Sequence, residues 1–283
     1  MKFSVFEVLK AATEKFSAAK IENARLDAEI LLAHVLNCRR LSLYVDSDKI
    51  LPLESILRFN ELINRRLSGI PVAYLVGTRE FMGLNFAVNE NVLIPRPDTE
   101  ILTEYVGEFL RGLDKEVIFA DLGVGSGAIS VSILKFVKNS RAVAVDVSSE
   151  ALEVAKFNAR KFFVDDRIKF YCGDLFSPLE GQKFNAIVSN PPYIPTNELK
   201  ILQTEVKREP KLALDGGEDG LSFYRRILSD APKFLIDGGL LAVEIGINQA
   251  EAVKNLFERE NFSDVEILRD LAGIERVVGG RKF

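Results

Sequence analysis

Apolar positions in the first seventy residues recur at helical spacing. Ser4-Val5-Phe6-Glu7 has the spacing of a capping box, and Val5, Val8, Leu9, Ala12 and Phe16 follow on one face. Leu26, Ile30, Ala33 and Leu36 predict a second helix over about 25–36, and Pro52 suits the start of a third that runs through Ile56, Leu57 and Leu62 to Leu67. Residues 1–73 are therefore expected to form a small helical domain. After Gly69-Ile70-Pro71 the period changes. Tyr74-Leu75-Val76-Gly77 and the alternating stretch 80–88 predict a β-hairpin linker over 74–90. A proline-stiffened segment, Leu93 to Glu100, then opens a helix carrying Ile101, Leu102, Tyr105, Val106 and Phe109. From Val117 onward strands and helices alternate: strands at 117–122, 142–146, 168–172, 184–188 and 240–245, helices at 128–137, 149–162 and 221–235, and a closing strand pair at 265–268 and 276–278. That alternation predicts an α/β domain with a mainly parallel sheet over 91–283.

Composition narrows the class of protein. With 283 residues, 47% of them hydrophobic, the chain can bury a substantial core. A formal charge of -4 offers no footprint for nucleic acid, and none is expected as a partner. Cys38 and Cys172 are isolated and read as small buried hydrophobes in a reducing compartment. His34, the single histidine, leaves no basis for a zinc cluster or a Ser-His-Asp relay, so no metal is expected. Arg39-Arg40 and Arg65-Arg66 read as solvated helix ends. Met1-Lys2-Phe3-Ser4 lacks a charged segment followed by an apolar core, and no apolar run approaches membrane-spanning length. A cytoplasmic location without a membrane partner is the expectation.

The candidate chemistry gathers at strand ends, where open α/β sheets bind ligands. Asp121 closes the first strand and leads into Gly123-Val124-Gly125-Ser126-Gly127, a loop whose backbone can approach a ligand closely. Asp146, at the end of the next strand, is placed to accept from a ribose diol, and Asp174-Leu175 follows the third. These features suit NAD as well as S-adenosylmethionine, since Gly123-x-Gly125-x-x-Ala128 also meets the relaxed dinucleotide fingerprint. The fourth strand separates the two. It delivers Ser189-Asn190-Pro191-Pro192-Tyr193, where two prolines stiffen the chain and the Asn190 amide oxygen and the Pro191 carbonyl are offered as acceptors beside the Tyr193 ring. Hydride transfer has no use for that arrangement, whereas methyl transfer to a planar N–H₂ group does. A strand-ending turn is the plainer alternative for the same residues. The acidic run Asp215 to Gly220 lacks the ligand period of a calcium loop and reads as a turn before a helix at Leu221.

The chain resembles the HemK/PrmC family of protein-(glutamine) methyltransferases. The resemblance rests on Pro71-Val72-Ala73-Tyr74-Leu75, Arg79-Glu80-Phe81, Leu93-Ile94-Pro95-Arg96-Pro97-Asp98-Thr99-Glu100, Asp121 to Ala128, Asn190 to Tyr193, Glu209 to Leu221 and Asp270-Leu271-Ala272-Gly273. It implies a Rossmann-like S-adenosylmethionine-dependent methyltransferase fold with a mostly parallel seven-stranded sheet. It also implies S-adenosylmethionine as methyl donor, held around Asp121, Gly123 to Gly127, Asp146, Asp174, Leu175 and Asn190. The glutamine of the Gly-Gly-Gln motif of a peptide-chain release factor would be the acceptor, held by Asn190 and Pro191 with Pro192, Tyr193, Arg96 and Glu100 nearby, and the helical domain would help to grip that partner. The sequence departs from the family pattern at Val124, usually threonine, at Met82, commonly aromatic, and at Ile247 after Glu244-Ile245-Gly246. Asn-Pro-Pro-Tyr is shared with adenine-N6 methyltransferases, which stand as the alternative enzyme; a catalytically silent cofactor-binding module is the alternative of another class.

Overall fold

The computed structural model describes residues 3–283, so the reading of the chain start at Met1 and Lys2 lies outside it. The chain divides into two units. One runs to Thr78 and takes in Gln203–Arg208; the other comprises Arg79–Leu202 and Glu209–Phe283.

The first unit is helical: α1 (Val5–Ala18), α2 (Ala24–Val35), α3 (Arg40–Val45), α4 (Leu53–Leu67) and the short α5 (Val72–Val76). The predicted capping box forms at α1, with Ser4 N donating to Glu7 Oε2 and Glu7 N to Ser4 Oγ. Val5, Leu9, Ala12 and Phe16 are buried against Ala28, Leu31, Leu32, Phe59 and Ile63. The buried face of α2 matches the predicted one only in part: Ala33 is buried and Leu36 packs against the core, but Leu26 is exposed, and Ala28, Leu31 and Leu32 face the core together with Asp27 and Glu29. Both carboxylates are paired, Asp27 with Arg66 and Glu29 with Arg25 and Arg40, so that charge lies on a face the hydrophobic pattern assigns to solvent. On α4, likewise, Phe59, Ile63 and Arg66 are buried and Leu57 is exposed. Arg66 is thus no solvated helix end; it holds Asp27 and Glu205, the latter from the segment Gln203–Arg208. Residues 74–76, expected as strand, lie in α5, and α3 had no sequence prediction.

A hairpin follows, β1 (Thr78–Phe81) and β2 (Leu84–Ala87), turned at Met82 and Gly83, and all of it but Thr78 belongs to the second unit. Both turn residues have positive φ (51° and 69°), as a two-residue hairpin whose twist matches its strands requires. Then come α6 (Thr99–Arg111), β3 (Val117–Leu122), α7 (Ala128–Phe136), β4 (Ser140–Asp146), α8 (Ser149–Lys161), β5 (Ile168–Cys172) and β6 (Phe184–Ser189). The chain closes with α9 (Ser222–Phe234), β7 (Leu235–Glu244), α10 (Ala250–Arg259), β8 (Phe262–Arg269) and β9 (Glu275–Lys282). The seven strands β3–β9 lie in the order β5-β4-β3-β6-β7-β9-β8; β9 is antiparallel to both its neighbours and the rest pair in parallel. Helices cover both faces, which is why the central strands read as unbroken apolar runs. Phe119, Ala142, Ala144 and Val188 pack with α6, α7 and α8, while Ala120, Val143, Ile187 and Leu241 pack with α9 and α10. Helix α10 was absent from the sequence prediction, although Ala250, Val253 and Phe257 mark its buried face. Cys172, expected to be buried, is exposed at the end of β5. Among the described residues no helix is long and apolar enough to cross a membrane.

Candidate active site

The chain runs from β3 outward through β4 to β5, returns to β6 beside β3, and continues to β7, so the strand order reverses between β3 and β6. A crevice opens beyond the carboxyl ends of strands at such a switch point. Here it holds a cavity of about 490 Å³ lined from the glycine loop, the ends of β4, β5 and β6, and the segments around Arg96 and Leu212. That volume falls in the range of small-molecule sites.

The glycine loop forms one wall. Gly123 N and Val124 N both donate to Val145 O, which stitches the loop to the end of β4. Gly123 and Gly125 have positive φ (75° and 53°), and apart from the glycine and its two chain neighbours no atom of the described residues lies within 4 Å of where a Cβ would stand on either. The space over these glycines is open to a ligand. Val124 lines the cavity with its side chain, while its N–H is already spent on Val145. Gly127 plays a different part: it does not line the cavity, its φ is 81°, and a Cβ there would stand 3.3 Å from the Ala155 Cα and Cβ, so it permits close packing of α8 on the loop. Buried Asn158 adds a brace, donating to Ser126 O and to Ala87 O and accepting from Ala87 N.

Two strand-end aspartates have separate roles. Asp146 lines the cavity; its Oδ2 accepts from Gly125 N and its Oδ1 from Ser148 N, each at 2.9 Å. Each oxygen keeps a second lone pair for a ligand hydroxyl, and Glu150 stands on the same wall. Asp121 does not reach the cavity. It is fully buried, its Oδ2 accepts from Ser130 N and Ser130 Oγ at the start of α7, and its Oδ1 has no partner among the described residues. Asp121 therefore meets the positive end of α7 from below and is not the direct ligand contact the sequence suggested. Burial pushes its carboxyl up to about 7 against the Ser130 hydrogen bonds, and nearby Asp146 adds to the rise.

Asn190, Pro191 and Pro192 line the opposite wall. Asn190 follows the last residue of β6, and its Nδ2 donates to Thr99 Oγ1 at 3.2 Å. Leu175 (φ 51°) and Asp174 line the β5 side, where Asp174 Oδ2 accepts from Arg226 Nη2. Arg96 also lines the cavity and is held by buried Glu209, which in addition accepts from Ile94 N. Two expected contacts face elsewhere. Glu100, which directly follows cavity-lining Thr99 on α6 but does not itself line the cavity, accepts from Met82 N in the hairpin turn. Tyr193 packs into the core cluster of α9 and α10, and Gly216 and Gly220 press against its backbone so closely that a Cβ on either would fall within 2.8 Å of it. The Tyr193 ring is accordingly not a cavity wall; burial pushes its hydroxyl up to about 12, with Glu244 adding to the rise.

Sequence reasoning missed Thr99, Glu209, Phe223, Arg226 and Glu244. Phe223 and Arg226 sit three apart on α9, a spacing that signals a shared face without saying what it faces. Asp215 and Asp219 are spent locally: Asp215 Oδ1 accepts from Thr196 and Gly217, and Asp219 accepts from Leu221 N and Arg225.

A reversing, mostly parallel seven-stranded sheet with an open glycine loop, a strand-end carboxylate and Asn190-Pro191-Pro192 across the cavity defines a methyltransferase of the Rossmann-like class. Comparisons with known proteins agree. The model of the methyltransferase small domain matches residues 99–218, and that of the PrmC N-terminal domain matches residues 7–77. A methyltransferase structure from Pyrococcus furiosus, 19% identical, superposes with a TM-score of 0.53 over 77% of this chain and 96% of its own, which shows the shared fold. The release factor glutamine methyltransferase of Geobacter sulfurreducens is 47% identical over 92% of this chain and 90% of its own length. That of Moorella thermoacetica is 43% identical over 95% of each. The chain belongs to the release factor glutamine methyltransferase family.

Proposed function

We propose that this enzyme transfers the methyl group of S-adenosylmethionine to the side-chain amide nitrogen of the glutamine in the Gly-Gly-Gln motif of a peptide-chain release factor, and so modulates translation termination. The observation that carries the reading is Asn190: its Nδ2 is engaged by Thr99, which leaves Oδ1 as an acceptor at the cavity wall, next to a proline whose carbonyl is a second fixed acceptor.

The cavity suits the donor. The space over Gly123 and Gly125 admits close approach of a ligand, and Asp146 and Glu150 offer carboxylate oxygens to a ribose diol. When bound, S-adenosylmethionine supplies an electrophilic methyl on a sulfonium. The chain's own residues have to make a poor nucleophile attack it. An amide nitrogen shares its lone pair with its carbonyl; two acceptors that take its two N–H bonds would fix its direction and weaken that conjugation. They would also stabilise the positive charge that grows on nitrogen as the methyl is transferred; the methylated nitrogen would then release one of its two protons to solvent, so these residues would act by electrostatic preorganisation rather than base catalysis. Pro191 suits the second position because it has no N–H and a fixed φ. Arg96 on the cavity wall is assigned to the substrate. The helical unit, with Leu41, Val45, Leu53 and Leu57 exposed, is the part we assign to gripping the release factor.

Incubation with methyl-labelled S-adenosylmethionine and either a release factor or adenine-containing DNA, followed by mass spectrometry, tests the proposal. Label on the glutamine is expected; label on adenine alone would overturn it in favour of an N6-methyltransferase. Asn190→Ala should lower kcat by about 100-fold or more while cofactor affinity stays within about two-fold, because Asn190 acts on the transition state. A parallel loss of cofactor binding would show that Asn190 serves the cofactor instead.

A further inference from the structure

Behind Asn190, away from the cavity, lies a second carboxylate that the mechanism above does not use. Glu244 ends β7, and its neighbour Val243 pairs with Ser189, so the ladder sets Glu244 beside Asn190. Glu244 is 2% exposed and does not line the cavity. Its carboxylate lies against the side chains of Thr99 and Asn190, and its Oε2 is buried with no hydrogen-bond partner among the described residues. Thr99, 5% exposed, is the same hydroxyl that accepts from Asn190 Nδ2.

A carboxamide has a donor end and an acceptor end of nearly equal shape, so what lies behind it decides which end faces a ligand. An ionised carboxylate can only accept. It favours the Nδ2 end of Asn190 pointing inward and the Oδ1 end pointing out. We propose that Glu244 is a positioning residue which, together with Thr99, holds the Asn190 amide with its carbonyl oxygen toward the cavity, and so determines that the site accepts an N–H₂ group. This rests on the functional reading of Asn190 given above; Glu244 itself touches no substrate.

The arrangement is sensitive to protonation. A protonated Glu244 gains an O–H that can donate to Oδ1 and reward the reversed amide. Burial pushes the Glu244 carboxyl up to about 7, with the facing charge of Asp98 adding to the rise and Thr99, Asn190 and Arg276 opposing it. The other titratable groups that face it are Tyr193 and Tyr224, both held neutral by burial. Methyl transfer should therefore rise with pH through that value as Glu244 ionises.

The test compares Glu244→Gln and Glu244→Leu in the full chain. Glu244→Gln can still present a carbonyl to Asn190 Nδ2, so it should keep kcat within about ten-fold of wild type but lose the pH step; Glu244→Leu should lower kcat by about 100-fold with cofactor Kd within about two-fold. In an Asn190→Ala background, Glu244→Leu should cost less than about three-fold more, because its effect passes through Asn190. A readout independent of activity is the Asn190 side-chain amide resonance, identified by its loss in Asn190→Ala: it should shift on titration near pH 7 in wild type and stay still in Glu244→Gln. A stationary resonance in wild type, a Glu244→Leu enzyme within about three-fold of wild-type kcat, or a full further loss in the Asn190→Ala background would each overturn the proposal. Wild-type enzyme that leaves a release factor unlabelled would instead overturn the functional reading, while the resonance still decides the role of Glu244.

Discussion

Removing the Glu209 carboxylate should loosen one wall of the cavity by an amount the structure allows to be worked out. The side chain is 2% exposed and makes two contacts: Oε2 accepts from Ile94 N at 3.0 Å, and Oε1 pairs with Arg96 Nη2. Ile94 is itself buried, so in Glu209→Ala its N–H loses its partner with no route to water, at a cost of about 1–3 kcal/mol. Arg96 is 34% exposed and can turn into solvent, so its share stays well below the roughly 3–5 kcal/mol of breaking a fully buried pair. Together these give a loss of about 1–4 kcal/mol, and at roughly 2–4 °C per kcal/mol for chains near this size the melting temperature should fall by about 2–16 °C. Glu209→Gln keeps an acceptor for Ile94 N and should lose about half as much. Differential scanning calorimetry reads both, and isothermal titration with S-adenosylhomocysteine reports whether the cavity loosens with the fold. A Glu209→Ala protein that melts within a degree of wild type would refute the argument, since it would mean that Ile94 and Arg96 find other partners at no cost.

Two more outcomes follow from the same geometry. Gly127→Ala forces an L side chain to φ 81° with Cβ 3.3 Å from Ala155, and should destabilise by about 1–2 kcal/mol in denaturant titration; Gly125→Ala, whose Cβ would enter open cavity space, should instead show its larger effect on cofactor Kd. Asp121 titrates near 7 when folded and near its ordinary value when unfolded, so the folded chain binds the extra proton and its contribution to stability falls as pH rises from about 4 through 7. The rise from 3.8 to about 7 corresponds to about 4 kcal/mol, so Asp121→Asn should gain on wild type across that window; a constant difference in unfolding free energy would contradict it.

Much of the second unit was legible because sheets covered on both faces write themselves as apolar runs: 117–122, 168–172 and the strand ending at Ser189 appear where the pattern puts them. The helical unit was harder. Asp27 and Glu29 sit on the buried face of α2, each paired with arginine, and a reading that assigns charge to solvent rotates that helix away from its true core. Residues at the site followed the same logic. Gly123, Gly125, Asp146, Leu175 and Asn190 stand at strand ends that must face the crevice, and they do. Asp121, Glu100 and Tyr193 stand close to it in sequence, yet their side chains serve α7, the hairpin and the α9–α10 core, because direction within a loop depends on neighbours brought from far along the chain. Glu244 and Glu209 are the converse case: a single glutamate at a strand or loop end looks like surface until the elements around it are known.

The helical unit is not one stretch of gene. Arg66 needs Glu205 as well as Asp27, Arg208 donates to Ser68 O, and Thr204 fills the space beside Gly69. A fragment cut after Thr78 would encode the five helices without six of the residues that complete them, leaving Arg66 with half its counter-charge. Domain transplantation between relatives would have to carry Gln203–Arg208 along, and substitutions in that short segment should be read as changes to the helical module rather than to the sheet that surrounds it in the chain.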